Sequence, residues 1–261
     1  MKTTTLIAAA LLLVAPRANA EVKTQELEYE QGGTTLQGFL ARDEAAKGTR
    51  PGVLVIHEWW GHNEHARNQA KKLAQAGYVA FALDMYGKGK VATHPKDAQA
   101  FMEEVTGDPE LVRARFDAAL DVLKKQPGVD AEKIAVVGYC MGGTIALAMA
   151  RAGADLDAVA TFHAGLKPPG PPAAKGKFEP KVLVQTGGAD PMIPDEQVTA
   201  FKKEMKEAGV DAEVVVYPKA KHSFTNPDAA KAGMDGLAYD AEADRQSWER
   251  MTKFLKQAFK S

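Results

Sequence analysis

The sequence predicts an α/β fold: a mostly parallel central sheet with helices on both faces and an N-terminal antiparallel hairpin. Three features carry that prediction. Short apolar runs recur at residues 53–56, 79–83, 134–137, 158–162, 182–184 and 214–216, and their lack of alternation is what strands covered on both faces require. Helix-like stretches separate them and end on breakers: 63–76 before Gly77, 109–126 before Pro127-Gly128, and 195–208 before Gly209. Such alternation of strand and helix produces right-handed crossovers, which place helices on both faces of one sheet.

At the N-terminal side, residues 25–30 and 34–41 flank Gln31-Gly32-Gly33, where the double glycine supplies the positive φ of a tight hairpin turn. At the other end, residues 239–259 set Trp248, Met251, Phe254, Leu255 and Phe259 on one helical stripe. The segment 167–180 holds Pro168, Pro169, Pro171, Pro172 and Pro180. It reads as a surface loop, because the strands on either side are needed by the same sheet. Residues 21–261 are therefore expected to form one domain.

Residues 1–20 read as a separate unit. Lys2 gives a positive start, residues 6–15 form an apolar run, and Ala18-Asn19-Ala20 is an A-x-A cleavage pattern before Glu21. This is the signature of a secretory signal peptide, and it predicts a secreted or periplasmic protein cleaved after Ala20. The apolar run is shorter than the ~20 residues an ordinary membrane span needs. Loss of Lys2 and Arg17 takes the formal charge from −1 to −3. No long run of like charge remains, so nucleic acid is not an expected partner, nor is a stable membrane partner after cleavage, and a monomer is expected. The chain has one cysteine, so no intramolecular disulfide can form, and the fold must stand on its core alone.

That cysteine sits in a particular context. The apolar run 134–137 leads into Gly138-Tyr139-Cys140-Met141-Gly142-Gly143 and then into a helix-like stretch, 144–151. A strand, G-x-C-x-G and a helix form the pattern of a nucleophile elbow, with cysteine where serine is commoner. The glycines are needed because a sharp, strained turn leaves no room for side chains two positions away. The helix N-terminus favours a thiolate. Asp190 follows the strand at 181–185, and His222 follows the strand at 214–217. Catalytic groups of open α/β sheets lie outside strand carboxyl ends, and nucleophile, acid, histidine is the chain order of an α/β-hydrolase fold. By contrast, His57-Glu58-Trp59-Trp60-Gly61-His62 spaces its histidines one residue too widely for H-E-x-x-H and ends a strand, so no metal site is expected. His65, His94 and His163 read as ordinary loop or helix residues.

Taken together, five segments resemble the dienelactone hydrolase family of α/β hydrolases: 57–61, Asp84-Met85-Tyr86-Gly87, the elbow at 138–143, Asp190-Pro191, and 222–227. The resemblance runs over nearly all of residues 21–261. It implies a Cys140, Asp190 and His222 triad, with Glu58 holding the resting thiol and giving way when substrate enters. It also implies an oxyanion hole from the backbone N–H groups of Trp59 and Met141. Trp60, Tyr86, Lys88 and Phe224 are candidate substrate contacts. Family members that hydrolyse dienelactone hold its carboxylate with arginines, whereas this chain has Lys88 and Asn226 in those regions, and lysine lacks the bidentate fork.

The activity so implied is hydrolysis of a small-molecule ester or lactone through a thioester, with no cofactor. A general carboxylesterase or thioesterase on the same fold is the nearest alternative. A binding protein that has kept the fold and lost catalysis is the alternative from another class.

Overall fold

The computed structural model describes residues 21–167 and 170–260. The proposed signal peptide, together with Pro168 and Pro169, lies outside them. The chain opens with strands β1 (Val22–Gln31) and β2 (Thr34–Asp43), paired antiparallel across Gly32-Gly33, both glycines at positive φ. The remaining strands are β3 (Arg50–Ile56), β4 (Val79–Leu83), β5 (Val129–Tyr139), β6 (Ala158–Phe162), β7 (Lys181–Gly187) and β8 (Ala212–Tyr217). The eight form one sheet in the order β1-β2-β4-β3-β5-β6-β7-β8, parallel from β4 onward.

Successive residues of the inner strands feed two cores. Leu54 and Ile56 of β3, Phe81 of β4, and Ile134 and Val136 of β5 belong to one. Val53, Val55, Ala80, Ala82, Ala135 and Val137 belong to the other. Neither face meets water, which is why these strands read as unbroken apolar runs. The first core is covered by α2 (Pro95–Thr106), α3 (Pro109–Lys124), α4 (Met141–Arg151) and α5 (Asp195–Ala208); the second by α1 (Glu64–Gln75) and α6 (Ala241–Ala258).

Helix starts follow capping chemistry. Asn63, Asp108 and Asp240 each accept hydrogen bonds from N–H groups in the first turn of α1, α3 and α6, satisfying donors that have no partner inside the helix. Helix α2 was not among the expected elements. Its Ala98, Phe101, Met102 and Val105 form an apolar stripe of helical spacing that packs on the first core, and Pro95 at its first turn is a start signal, so the pattern for this helix is present in the sequence. Strands β6 and β7 are neighbours in register from Ala158 opposite Lys181, consistent with the proline-rich segment between them being a loop.

Candidate active site

Cys140 sits between β5 and α4 with φ 51° and ψ −120°. Gly138, Gly142 and Gly143 permit that turn. A Cβ on Gly142 would meet the carbonyl oxygen of Ile56 and, 2.6 Å away, that of His57; one on Gly143 would lie 2.6 Å from the Ala164 Cβ. These obstacles at Gly142 are backbone of the neighbouring strand, which cannot step aside. Gly142→Ala is therefore expected to cost about 3 kcal/mol, the upper range for overpacking, seen as a melting temperature lower by roughly 6–12 °C for a domain of this size.

Three non-glycine residues with positive φ occur among the described residues: Cys140, His163 (40°) and Ser223 (55°). Each follows the carboxyl end of a strand, namely β5, β6 and β8, and all three converge on one site. Backbone held in this region costs on the order of 1–3 kcal/mol per residue and persists where the surrounding structure enforces it.

His222 Nδ1 lies 2.8 Å from Asp190 Oδ2, both side chains buried. Asp190 has two tasks, since its Oδ1 accepts the Met192 N–H at 2.8 Å and so caps the turn after β7. The opposite nitrogen, His222 Nε2, is buried without a hydrogen-bond partner among the described residues. The half-buried Cys140 is close by: Cys140, His163 and His222 offer ligand-type atoms all within 4.8 Å of one another. Burial alone would lower the pKa of His222, but the negative Cys140 thiolate and the Asp190 carboxylate outweigh it, and His222 is pushed up to about 10. The site therefore holds its histidine as imidazolium when the thiol is ionised.

Glu58 is buried, and each of its carboxylate oxygens accepts a side-chain hydrogen bond. Ser223 Oγ donates to Oε1 at 2.6 Å and Asn226 Nδ2 donates to Oε2 at 2.7 Å. Asn226 is thus a carboxylate holder within the protein and stands where a substrate-binding arginine would be sought. His57 closes the turn beneath: its Nδ1 contacts the Glu58 carbonyl oxygen at 2.5 Å, and its Nε2 accepts the Met85 N–H at 3.2 Å. Burial holds His57 neutral, and both ring nitrogens are occupied, leaving no lone pair for a metal.

His163 is the functional candidate that sequence reasoning passed over. It is fully buried, packs edge-on against His222 with ring centroids 4.8 Å apart, and places Nε2 3.9 Å from Glu58 Oε1. Burial, with repulsion from His222 and His65, holds its pKa well below the usual histidine range. The signal was there: residue 163 follows β6 as residue 140 follows β5.

Met141 is the first residue of α4, so its N–H is one of the four a helix start leaves unpaired. Trp59 follows Glu58 in the turn closed by Gly61 N–H to Glu58 O at 3.2 Å. Tyr86 is buried and donates its hydroxyl to the Trp59 carbonyl at 3.0 Å, so it braces that turn. Trp60 packs edge-on against Trp59. None of the four expected substrate contacts, Trp60, Tyr86, Lys88 and Phe224, lines the cavity beside Cys140. Lys88 is exposed and paired with Glu28 of β1 at 2.7 Å, drawn there by the hairpin. Phe224 has no exposed surface and packs against Phe162, Tyr217 and His163, so it is core. Asp84 likewise serves the fold, accepting the N–H groups of Tyr86, Gly87 and Gln37.

A cavity of about 780 Å³ opens beside Cys140 and His222. Met102, Val112, Ile145, Met149, Met192 and Ile193 are among the residues that line it, so its lining is largely apolar.

A sheet of this order, with a cysteine at a strained strand-to-helix turn and an Asp–His pair following later strands, defines an α/β hydrolase. Residues 36–259 match the model of the dienelactone hydrolase family, and the chain belongs to that family of hydrolases acting on ester and lactone bonds. It is 31% identical to protein usf of Aquifex pyrophilus over 89% of this chain and 98% of the relative. Among solved structures it is similar to a dienelactone hydrolase-like promiscuous phosphotriesterase from metagenomic libraries (39% identity, TM-score 0.86) and to a protein designated m3DLH (41% identity, TM-score 0.86). Each alignment covers 91% of this chain and 98% of the other.

Proposed function

We propose that the protein hydrolyses its ester or lactone by acyl transfer to Cys140. The observation that carries this is the buried His222–Asp190 pair at 2.8 Å with its second nitrogen unpartnered beside the thiol. An ordinary thiol of pKa ~8.5 is only about 3% ionised at pH 7. His222, pushed up by the Cys140 thiolate and by Asp190, takes the thiol proton as the sulfur attacks. The sulfur attacks the carbonyl carbon, and the N–H groups of Trp59 and Met141 hold the resulting oxyanion. His222 gives its proton to the departing alkoxide or enolate. It then takes a proton from the water that attacks the thioester, and the acid leaves as the thiolate is restored. Asp190 fixes the imidazole tautomer throughout. Glu58, bound by Ser223 and Asn226, leaves the sulfur free for His222. A carboxylate beside the thiolate would oppose its charge.

The N-terminal pattern at residues 1–20 supports export, with cleavage after Ala20 and action in a secreted or periplasmic setting.

The test is to quench turnover of an activated ester in acid and measure the intact mass. A hydroxylamine-sensitive acyl adduct on Cys140 is expected; an adduct on another residue, or none under burst conditions, sinks the thioester route. Parallel rates on an enol lactone, p-nitrophenyl esters and acyl thioesters rank the substrate classes.

A further inference from the structure

The cavity beside Cys140 is larger than a compact lactone requires, and one helix, α4, supplies much of its lining. Helix α4 is buried on every side but one: its half-buried residues are Thr144, Ala148 and Arg151, in line with the half-buried Cys140 that caps it. Spacings of four, four and three put these on a single face. At 1.5 Å per residue that face runs roughly 16 Å from Cys140 to Arg151, and all four residues line the cavity. The nucleophile thus stands at one end of a groove that continues along α4, with Met102, Val112 and Ile193 also in its lining. Met192, 41% exposed, also lines it.

A volume of about 780 Å³ lies in the upper part of the ~300–1,000 Å³ range of sites for sizeable ligands. A compact lactone of about ten non-hydrogen atoms, at roughly 30 Å³ each, leaves more than half of it unfilled. The far end does not call for an anion. Arg151 is held by both carboxylate oxygens of Glu204 at 2.8 and 3.0 Å, and Arg113 by Asp117 at 2.6 Å. Lys167 at the rim is exposed to water.

We propose that this groove binds an extended, uncharged alkyl chain on the acyl side of the substrate, in the octanoyl to dodecanoyl range. With C–C bonds of ~1.5 Å, an extended chain advances about 1.3 Å per carbon, so roughly twelve carbons span the groove. The acyl side is chosen because the alcohol departs before water attacks, whereas the acyl group stays tethered to the sulfur through both steps. This inference rests on Cys140 being the nucleophile.

The test is kcat/KM for p-nitrophenyl esters from acetate to myristate, with acetate esters of straight-chain alcohols as the counterpart series. The wild-type protein is expected to improve with acyl length, by up to about fourfold per added CH2, to a maximum between octanoate and dodecanoate. Ala148→Phe places a ring across the middle of the groove and is expected to lower the decanoate-to-acetate ratio at least tenfold. Met192→Glu, at an exposed rim position that folding does not depend on, is expected to lower it in the same direction. A wild-type optimum at acetate, a long-chain preference that survives both substitutions, or dependence on alcohol length alone overturns the proposal. Acetate hydrolysis that needs Cys140 without any chain preference sinks the groove and leaves the nucleophile standing. Absence of Cys140-dependent hydrolysis across the whole series overturns both.

Discussion

Cys140→Ala is expected to lower kcat on any ester by ~10⁴-fold or more, the order seen when a triad nucleophile is removed. The loss follows from the chemistry, because no other nucleophilic side chain takes its place at the strained turn. Asp190 and His222 are bound to each other, and Glu58 is held by Ser223 and Asn226. Alanine at φ 51° bears the same backbone strain as cysteine, and the residue is only half-buried, so the melting temperature should move by a few degrees at most. The two readouts together separate catalysis from folding. A folded variant retaining more than about a hundredth of the wild-type kcat, against the ~10⁴-fold loss expected, would remove Cys140 from the mechanism. Protection of a substrate-sized ligand from hydrolysis with binding intact would be the behaviour of the same site without its nucleophile.

The parts of this site that could be read in the sequence are those carried by local pattern. Cys140, Asp190 and His222 each follow an apolar run that becomes a parallel strand, and the carboxyl ends of such strands share one edge of the sheet. Order along the chain then sufficed to bring them together. The glycines were legible for the same reason, since a turn that tight has a composition. What was not legible depends on contacts between distant elements. His163 looks like any histidine until β6 is seen beside β5 and β7, whereupon it falls against His222. Lys88 looked available for a substrate carboxylate, but the register of β1 against β2 brings Glu28 within reach of it. Phe224 is by sequence equally compatible with core and rim, and only its packing against Phe162, Tyr217 and His163 makes it core.

The groove is the extreme case. Thr144 and Ala148 carry no sequence signal of a binding surface; they line one only because the neighbours of α4 leave that stripe uncovered. Helix α2, whose Met102 lines the cavity, was legible by the ordinary rule, since Ala98, Phe101, Met102 and Val105 are spaced i, i+3, i+4 and i+7 on the face that packs on the core. The fold and the chain order of Cys140, Asp190 and His222 were thus legible in periodicity, whereas the lining of the cavity is set by packing.

Asp190→Asn is expected to be nearly as damaging as loss of the nucleophile while leaving the fold in place. The wild-type carboxylate accepts from His222 Nδ1–H through Oδ2 and from the Met192 N–H through Oδ1. An asparagine has one acceptor where the aspartate has two. If its oxygen keeps the turn cap, its NH2 faces His222, whose Nδ1 must then accept and whose Nε2 must carry the proton. That tautomer cannot take a proton from the thiol. If the amide flips, the cap on Met192 is lost, at roughly 1 kcal/mol for one hydrogen bond. The first arrangement predicts a fall in kcat on the order of 10³–10⁴, as for the corresponding change in other triads, with little change in melting temperature. The pH profile supplies a second readout. His222 is pushed up to about 10 against the effect of burial, by the Cys140 thiolate and by Asp190. The imidazolium is present below that pKa and lost above it, so removing one of its two supporting anions should move the alkaline fall in kcat/KM to lower pH. That limb belongs to the coupled Cys140–His222 pair and reports its joint titration. A kcat within tenfold of wild type, with the alkaline limb unmoved, would leave Asp190 as a turn cap and nothing more.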